Sequence, residues 1–310
     1  MAKISMFGVS RAGKTCYLYA MSQIMDDGAR QKEDGFRIQI KANDLEQAAN
    51  LNEGYMSLVQ NTWPQGTIGT NVYDFRVALQ TNEEYIDRFI PSITLVDYKG
   101  GVWTLNDQTN VQERNNILNE FKESSALIFL VDGETLLHAM DPNDRDVDHR
   151  QMSTTVKILD SRNQIRFIEN IFYEYKKGNA TVPPVLVAIT KADVFSSTME
   201  LTMGIRYLKE SLSSIFARGS QIDAAITSLS LGENLSGKEG EHASGRFCLN
   251  TDHGIHLPMV FGIYALLSEG FDDFEPAEQH TAEIAMRSMR KMMRGKVEMI
   301  NNGYPVFETA

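Results

Sequence analysis

Short apolar runs alternate along this chain with longer stretches in which apolar residues recur at helical spacing. Residues 126–131 and 185–189 are almost wholly apolar, which is typical of central parallel strands buried on both faces. Residues 3–9 and 224–229 are further predicted strands. Because strands that alternate with helices form parallel sheets covered by helices, the pattern predicts a three-layer α/β fold, with a mostly parallel sheet of about six strands and helices on both faces.

The first long connection in this pattern contains elements of its own. Residues 36–40 alternate as a short extra strand, and residues 44–59 carry apolar side chains at helical spacing. Both lie in an insert at about residues 27–66, which is long for a connection inside one domain. Residues 72–79 alternate apolar and polar positions, which predicts an edge strand with one solvent-exposed face.

Three later segments have less regular patterns. The Asp-rich residues 132–150 are predicted to form a loop, and the Gly- and Ser-rich residues 232–254 a mobile loop. The tail, residues 276–300, predicts a final helix that a glycine interrupts near its end. We therefore expect one main domain over residues 1–270 and a C-terminal helical extension over residues 271–310.

Composition narrows the classes of function. The 310 residues are 42% hydrophobic and carry a formal net charge of −11, and this acidity disfavours general binding of nucleic acids. The two cysteines, Cys16 and Cys248, do not suggest a disulfide framework. No apolar run approaches the length of about 20 residues that a membrane span needs. We therefore expect a cytoplasmic protein without a transmembrane segment.

Residues 8–15, with the sequence GVSRAGKT, match the pattern G-x-x-x-x-G-K-[ST] without a mismatch. The segment follows an apolar strand and opens a helical stretch, so its N–H groups would surround the β-phosphate of a nucleotide. Lys14 would reach the β- and γ-phosphates, and the Thr15 hydroxyl would bind Mg²⁺. A glycine turn without a ligand is the alternative interpretation. The predicted nucleotide-binding residues are Gly8, Ser10, Arg11, Ala12, Gly13, Lys14, Thr15 and Cys16.

A second motif, D-x-x-G, ends the apolar run at residues 93–96 and consists of Asp97 and Gly100. An aspartate at the carboxyl end of a strand can hold a water molecule of the Mg²⁺ shell. Gly100 would let its backbone N–H approach a γ-phosphate. An aspartate that simply ends a strand before a turn is the alternative.

A third motif, T-K-x-D, consists of Thr190, Lys191 and Asp193 and follows the apolar run at residues 185–189. The Asp193 carboxylate would accept hydrogen bonds from N1–H and N2–H₂ of guanine, whereas adenine offers no such pair of donors. The Lys191 stem would lie along the base. A solvated turn is the alternative, but the position two strands after D-x-x-G favours recognition of guanine.

With these motifs in this order, the chain resembles the TRAFAC class of Ras-like, translation-factor-related P-loop GTPases over roughly residues 3–267. The resemblance implies the Ras-like P-loop NTPase fold, with the insert placed before switch I. It also implies a fifth motif after the last strand, whose backbone N–H meets guanine O6. Residues 227–229 match this motif loosely, with Leu229 after Ser228 where the family usually has alanine.

Switch I of the family supplies one threonine that closes over the γ-phosphate and Mg²⁺. Thr67 and Thr70 are the candidates here. Thr67 is favoured because W-P-x-x-T, at residues 63–67, resembles the switch segment of bacterial TRAFAC-type GTPases, including the double-GTPase groups. A turn built on Pro64 and Gly66 is the alternative. The implied Mg²⁺ residues are Thr15, Thr67 and Asp97, and the implied catalytic residues are Lys14, Thr67, Gly100 and Arg11.

The chain departs from the family near the catalytic water. Gly101 stands where Ras-like enzymes usually have a glutamine that orients the attacking water. Ser10 replaces a glycine of many relatives and would crowd the γ-phosphate. Arg11 and Lys99 would supply positive charge there, or else point into solvent. We therefore expect hydrolysis that is slow or that depends on a partner.

The leading hypothesis is a GTPase that binds GTP or GDP with Mg²⁺ and acts as a nucleotide-dependent switch. Protein partners would bind through the switch regions or through the basic, Met-bearing C-terminal helix, whose Met face alternatively packs on its own domain. One competing hypothesis is a GTP-binding assembly or recognition module with negligible hydrolysis. The other is an ATP-dependent enzyme, such as a kinase, on the same scaffold.

Overall fold

The structure is a computed structural model, and it describes residues 2–8, 12–31, 35–64, 71–80, 85–86, 93–97, 110–140, 152–179, 181–235 and 241–306. Its strands are β1 (Ala2–Gly8), β2 (Ala29–Gln31), β3 (Phe36–Ala42), β4 (Asn71–Gln80), β5 (Tyr85–Ile86), β6 (Ile93–Asp97), β7 (Ala126–Asp132), β8 (Val185–Thr190), β9 (Asp223–Ser228), β10 (Gly232–Glu233), β11 (Arg246–Phe247), β12 (Val297–Asn301) and β13 (Tyr304–Pro305). Its helices are α1 (Lys14–Asp27), α2 (Leu45–Val59), α3 (Asn110–Glu123), α4 (Gly133–Met140), α5 (Met152–Gly178), α6 (Thr198–Ser211), α7 (Ser213–Phe216), α8 (Leu257–Glu269) and α9 (Pro276–Met293).

The described residues form a main sheet of 11 strands, and its centre is parallel, in the order β6-β1-β7-β8-β9. Antiparallel strands extend it at both edges, with β4, β3 and β2 beyond β6, and β12 and β13 beyond β9. The chain passes from β1 to β6 on one side and then to β7 on the other. Open α/β sheets bind ligands at the carboxyl ends of strands where the order reverses in this way. The strand order is that of the predicted P-loop NTPase fold.

Strand β1 separates two layers of helices, because its successive side chains point to opposite faces of the sheet. Ser5 Oγ donates a hydrogen bond of 2.7 Å to Glu120 of α3. Ile4 faces the other way, against α8, where a Cβ atom at Gly262 would lie 2.8 Å from its side chain. Helices therefore cover both faces, and the three-layer α/β prediction is confirmed.

The structure corrects two predictions about loops and edges. Residues 72–79 do not form an edge strand, because the insert supplies β3, which pairs with β4 on the side opposite β6. Residues 132–150 are not a continuous loop, since α4 begins directly after β7. Residues 141–151 lie outside the described residues.

The C-terminal extension is helical only in part. The predicted helix over residues 276–300 ends at Met293, and Gly295 has a left-handed φ of 69° that lets the chain turn. β12 then runs antiparallel to β9 and extends the main sheet. The Met side chains of α9 are buried, namely Met286, Met289, Met292 and Met293. The domain boundary at residue 270 stays a prediction.

The predicted loop at residues 232–254 contains ordered elements. β10 and β11 form an antiparallel hairpin, and a short 3₁₀ helix covers Thr251–His253. Residues 236–240, between the two strands, lie outside the described residues. Among the described helices, none combines the length and apolar character needed to cross a membrane.

Candidate nucleotide-binding site

The phosphate-loop motif lies where β1 ends and α1 begins. Gly13 has a left-handed φ of 74° as the N-terminal cap of α1, a conformation that glycine adopts without strain. Lys14 is buried, and its Nζ donates a hydrogen bond of 3.0 Å to the carbonyl of Gly8. Ala12 is buried beside them, whereas the predicted residues Ser10 and Arg11 lie outside the described residues. The lysine ammonium is therefore held at the carboxyl end of β1.

Gly8 itself lies close to the neighbouring strand β7. A Cβ atom at this position would come within 2.8 Å of the Leu130 carbonyl oxygen and 3.3 Å of the Ala12 Cβ atom. Glycine is the residue that fits this close approach. Close packing against β7 therefore explains why the first residue of the motif is glycine in this fold.

Asp97 is the last residue of β6, which pairs in parallel with β1, with Met6 opposite Asp97. The D-x-x-G motif therefore begins at the same sheet edge as the phosphate loop. Thr15 follows Lys14 in the first turn of α1. The other residues predicted for metal binding and catalysis, Thr67 and Gly100, lie outside the described residues, as do Thr70, Lys99 and Gly101.

Thr190 joins the base-recognition motif to the phosphate loop. It ends β8 and is only 2% exposed. Its hydroxyl lies 2.9 Å from the carbonyl oxygen of Ala12 and 3.3 Å from that of Val131. The structure therefore brings together two of the motifs that the sequence singled out, and it does so through a direct hydrogen bond.

Lys191 has a left-handed φ of 50°, and its Nζ forms an ion pair of 3.1 Å with Asp132 Oδ1. Asp132 is buried and ends β7 opposite Thr190 in the register of the sheet. Sequence reasoning missed Asp132, although an aspartate at the end of a wholly apolar strand was a usable signal. The ion pair fixes the position from which the Lys191 stem was predicted to contact the base.

Asp193 lies in a short 3₁₀ helix, Ala192–Val194, directly after β8. Its Oδ1 accepts a hydrogen bond of 2.7 Å from the Ser230 hydroxyl, and its Oδ2 accepts one of 3.2 Å from the Asn234 N–H. Ser230 is buried. Sequence reasoning missed both partners, which lie beyond the motif that it had assigned to residues 227–229.

The backbone of Leu229 forms two hydrogen bonds within the protein. Its N–H donates a hydrogen bond of 2.8 Å to the carbonyl of Ile189, and its carbonyl accepts one of 3.1 Å from Ala192. The N–H that was expected to meet guanine O6 is thus donated inside the protein. The roles predicted for Ser228 and Leu229 stay predictions, while Ser230 is the serine next to Asp193.

Comparison with known proteins finds matches among solved structures. No protein-family model matches the chain, and no curated protein matches its sequence. Translation elongation factor SelB from Methanococcus maripaludis, in complex with a GTP analogue, matches with a TM-score of 0.33 and 14% identity over 74% of this chain and 29% of that chain. The G domain of the T. maritima FeoB iron transporter matches with a TM-score of 0.28 and 13% identity over 74% of this chain and 87% of that chain.

The signal recognition particle receptor SRβ–GTP/SRX complex from Chaetomium thermophilum also matches, with a TM-score of 0.34 and 16% identity over 78% of this chain and 94% of that chain. At such TM-scores and identities, these similarities carry no argument about ligand or activity. The chain spans less than a third of the SelB chain.

Proposed function

We propose that the chain is a guanine-nucleotide-binding P-loop GTPase that acts as a nucleotide-dependent switch and hydrolyses GTP slowly or with the help of a partner. The observation that carries the proposal is the hydrogen bond from Thr190 to Ala12. It holds the strand before Asp193 against the loop that would bind phosphates. A phosphate cradle and a carboxylate suited to guanine then belong to one site.

The site offers complementary charges to the two ends of a nucleotide. Lys14, buried in the loop, would exchange its hydrogen bond to Gly8 for the β- and γ-phosphates. Asp193 already accepts one hydrogen bond on each carboxylate oxygen. Since each oxygen has two lone pairs, one remains on each for the N1–H and N2–H₂ donors of guanine.

The oxygen donors near the loop suit a hard cation. Thr15 supplies a hydroxyl at the start of α1 and Asp97 a carboxylate at the end of the strand beside β1, and oxygen ligands are those that Mg²⁺ prefers. Thr67 would complete the set from switch I. The metal, when bound, would neutralise charge on the β- and γ-phosphates.

The switch role rests on segments around Thr67 and residues 97–103, which would respond to the γ-phosphate. A partner would bind these segments or the basic side of α9, where Arg287, Arg290 and Arg294 are exposed because the Met side packs into the core. The slow rate follows from Gly101, which has no side chain to orient water. A cytoplasmic location stays a prediction, as does the bacterial origin that the resemblance of residues 63–67 to bacterial GTPases implies.

The proposal is tested by substituting the base-reading carboxylate. Asp193→Asn removes one acceptor oxygen, so we expect GDP to bind about tenfold or more weakly, while ADP binding is unchanged. Asp223→Asn is a matched control, because Asp223 is exposed and accepts a hydrogen bond from Asn301 at the far side of the sheet. Isothermal titration calorimetry gives both dissociation constants. Equal GDP affinities of the two variants would remove the guanine-binding claim.

Hydrolysis is tested separately, in a single-turnover assay with radiolabelled GTP and Mg²⁺. We expect a rate well below that of assisted GTPases, and a further decrease on Arg11→Ala. Rapid turnover of the purified chain that is insensitive to Arg11→Ala would contradict the slow-hydrolysis part of the proposal.

A further inference from the structure

Residues 230–234 and 241–247 contain β10 and β11 and are called the β10–β11 hairpin below. The side of this hairpin that contains β10 contacts Asp193. The Asn234 N–H donates a hydrogen bond to Asp193 Oδ2. The Ser230 hydroxyl, which has one proton, lies within hydrogen-bond distance of both Asp193 Oδ1 and the Gly232 carbonyl, and the charged carboxylate is the stronger acceptor. The hairpin therefore fixes the orientation of the carboxylate that the proposed function assigns to guanine.

The side of the hairpin that contains β11 is held by Asn61, which follows α2. Asn61 Nδ2 donates hydrogen bonds to the carbonyls of Ala243 at 3.0 Å and Gly245 at 2.7 Å. Asn61 Oδ1 accepts one of 3.2 Å from the Phe247 N–H. The side-chain amide of Asn61 therefore bonds through both N–H groups and through its oxygen. All three partners are backbone groups more than 180 positions later in the sequence.

The backbone and a ring contact add to this attachment. The Ala243 N–H donates to the Asn61 carbonyl at 2.8 Å, and the Trp63 N–H donates to the Glu241 carbonyl at 2.9 Å. The Trp63 ring packs edge-on against the Phe247 ring, with 5.1 Å between centroids. The turn at residues 61–63 is therefore fixed to the hairpin, four residues before Thr67.

The two strands that carry these contacts are closely spaced. Gly232 pairs with Phe247, and Glu233 pairs with Arg246. A Cβ atom at Gly232 would lie 2.1 Å from the Arg246 carbonyl oxygen, and one at Gly245 would lie 2.1 Å from that of Glu233. The two backbones therefore approach each other closely and connect the Asp193 contact to the Asn61 contact by direct pairing.

We propose that the β10–β11 hairpin couples occupancy of the guanine site to the position of the turn at residues 61–63, and that Asn61 is the positioning residue at the turn. The inference rests on the proposed function, in which Asp193 binds the base. Guanine stabilises the orientation of Asp193 that Ser230 and Asn234 favour, so it stabilises the hairpin and the turn. By linkage, loosening the turn weakens guanine binding.

Hydrogen exchange of the wild-type chain tests the first half of this coupling. The informative amides are those of Trp63, Ala243 and Phe247, which donate across the contact. We expect saturating GDP to slow their exchange, and saturating ADP to leave it as in the free protein. ADP presents its phosphates to the loop but offers Asp193 no matching pair of donors. Slowing of these amides by both nucleotides alike would contradict a signal that passes through Asp193.

Asn61→Gly tests the reciprocal half. Asn61 has a left-handed φ of 59°, which glycine adopts freely, so the substitution removes the side-chain hydrogen bonds without backbone strain. Asn302→Gly is the matched control. Asn302 also has a left-handed φ, of 49°, and its Oδ1 accepts a hydrogen bond from Gln221 N–H at the sheet edge beyond β12.

We expect Asn61→Gly to raise the dissociation constant for GDP about fivefold or more and to leave that for ADP unchanged, while Asn302→Gly changes neither. If Asn61 had a purely structural role, Asn61→Gly would weaken the binding of GDP and ADP equally. Unchanged exchange of the three amides and equal GDP affinities of the two variants, in a chain that selects GDP over ADP, would overturn the coupling alone. Absence of GDP binding to the wild-type chain would overturn the proposed function and the coupling together.

Discussion

The Thr190 hydroxyl offers a quantitative test of how the two motifs are joined. Thr190→Val keeps the shape of the side chain and removes the hydroxyl, which lies within reach of the Ala12 and Val131 carbonyls. A hydroxyl has one proton, so it serves one carbonyl at a time, and the shorter distance of 2.9 Å favours Ala12. The substitution therefore leaves the carbonyl of a buried residue without this donor.

The magnitude follows from that geometry. Leaving a buried acceptor unsatisfied costs about 1–3 kcal/mol, and Thr190 is 2% exposed, so we expect a loss of that size in the free energy of unfolding. Thr190→Ser retains the hydroxyl and loses one methyl group, at a cost of about 1 kcal/mol. A loss of 1–3 kcal/mol expressed wholly in binding equals about 5- to 150-fold. Since the hydrogen bond also exists without ligand, only part of this loss affects binding, and we expect the GDP affinity to decrease by about tenfold.

Urea unfolding followed by circular dichroism gives the free energies, and calorimetry gives the GDP dissociation constants. We expect the free energy of unfolding and the affinity for GDP to decrease in the order wild type, Thr190→Ser, Thr190→Val. If the serine and valine variants have the same unfolding free energy and the same affinity for GDP, the hydroxyl does not join the loop to the base motif.

Three further predictions use other contacts of the site and its surroundings. Gly133→Ala places a Cβ atom 2.7 Å from the Thr190 carbonyl oxygen, so we expect a loss of about 1–3 kcal/mol in urea unfolding, whereas Gly178→Ala, with open space, changes little. Lys14→Ala removes a charged donor to phosphate, so calorimetry should show a GDP affinity lower by roughly 10- to 150-fold. An unchanged GDP affinity would contradict the role of Lys14 in phosphate binding. Burial lowers the pKa of His256 from 6.5 to about 4, so the unfolded state binds the proton first as the pH falls. Stability should therefore decrease by up to about 3 kcal/mol between pH 6.5 and 4, less steeply in His256→Gln; equal slopes would contradict this assignment.

The central strands were predictable because their environment leaves a strong local signal. β7 and β8 are buried along their whole length, so they require continuous apolar runs, and such runs can be recognised in a sequence. α4 was missed because it is short and begins in an Asp-rich stretch. The edge assignment of β4 failed because its outer neighbour comes from the insert, and strand pairing depends on the return path of the chain.

The candidate site was predictable as far as its motifs are local. Gly8–Lys14 and Thr190–Asp193 follow buried strands, and parallel strands bring their carboxyl ends to one edge. The attachment of Asn61 to Ala243 spans 182 positions and uses backbone atoms, which leave no pattern in side-chain identity. The pairing of Ser230 with Asp193 depends likewise on the path of the chain after β9.

The most direct test of the central claim is calorimetric titration of the unmodified chain with GDP and with ADP, in Mg²⁺-containing buffer. A carboxylate built to receive the N1–H and N2–H₂ donors of guanine should favour GDP by about a hundredfold or more. Equal dissociation constants for GDP and ADP, or no binding of either, would contradict the assignment of Asp193 and of this chain as a guanine-nucleotide-binding protein.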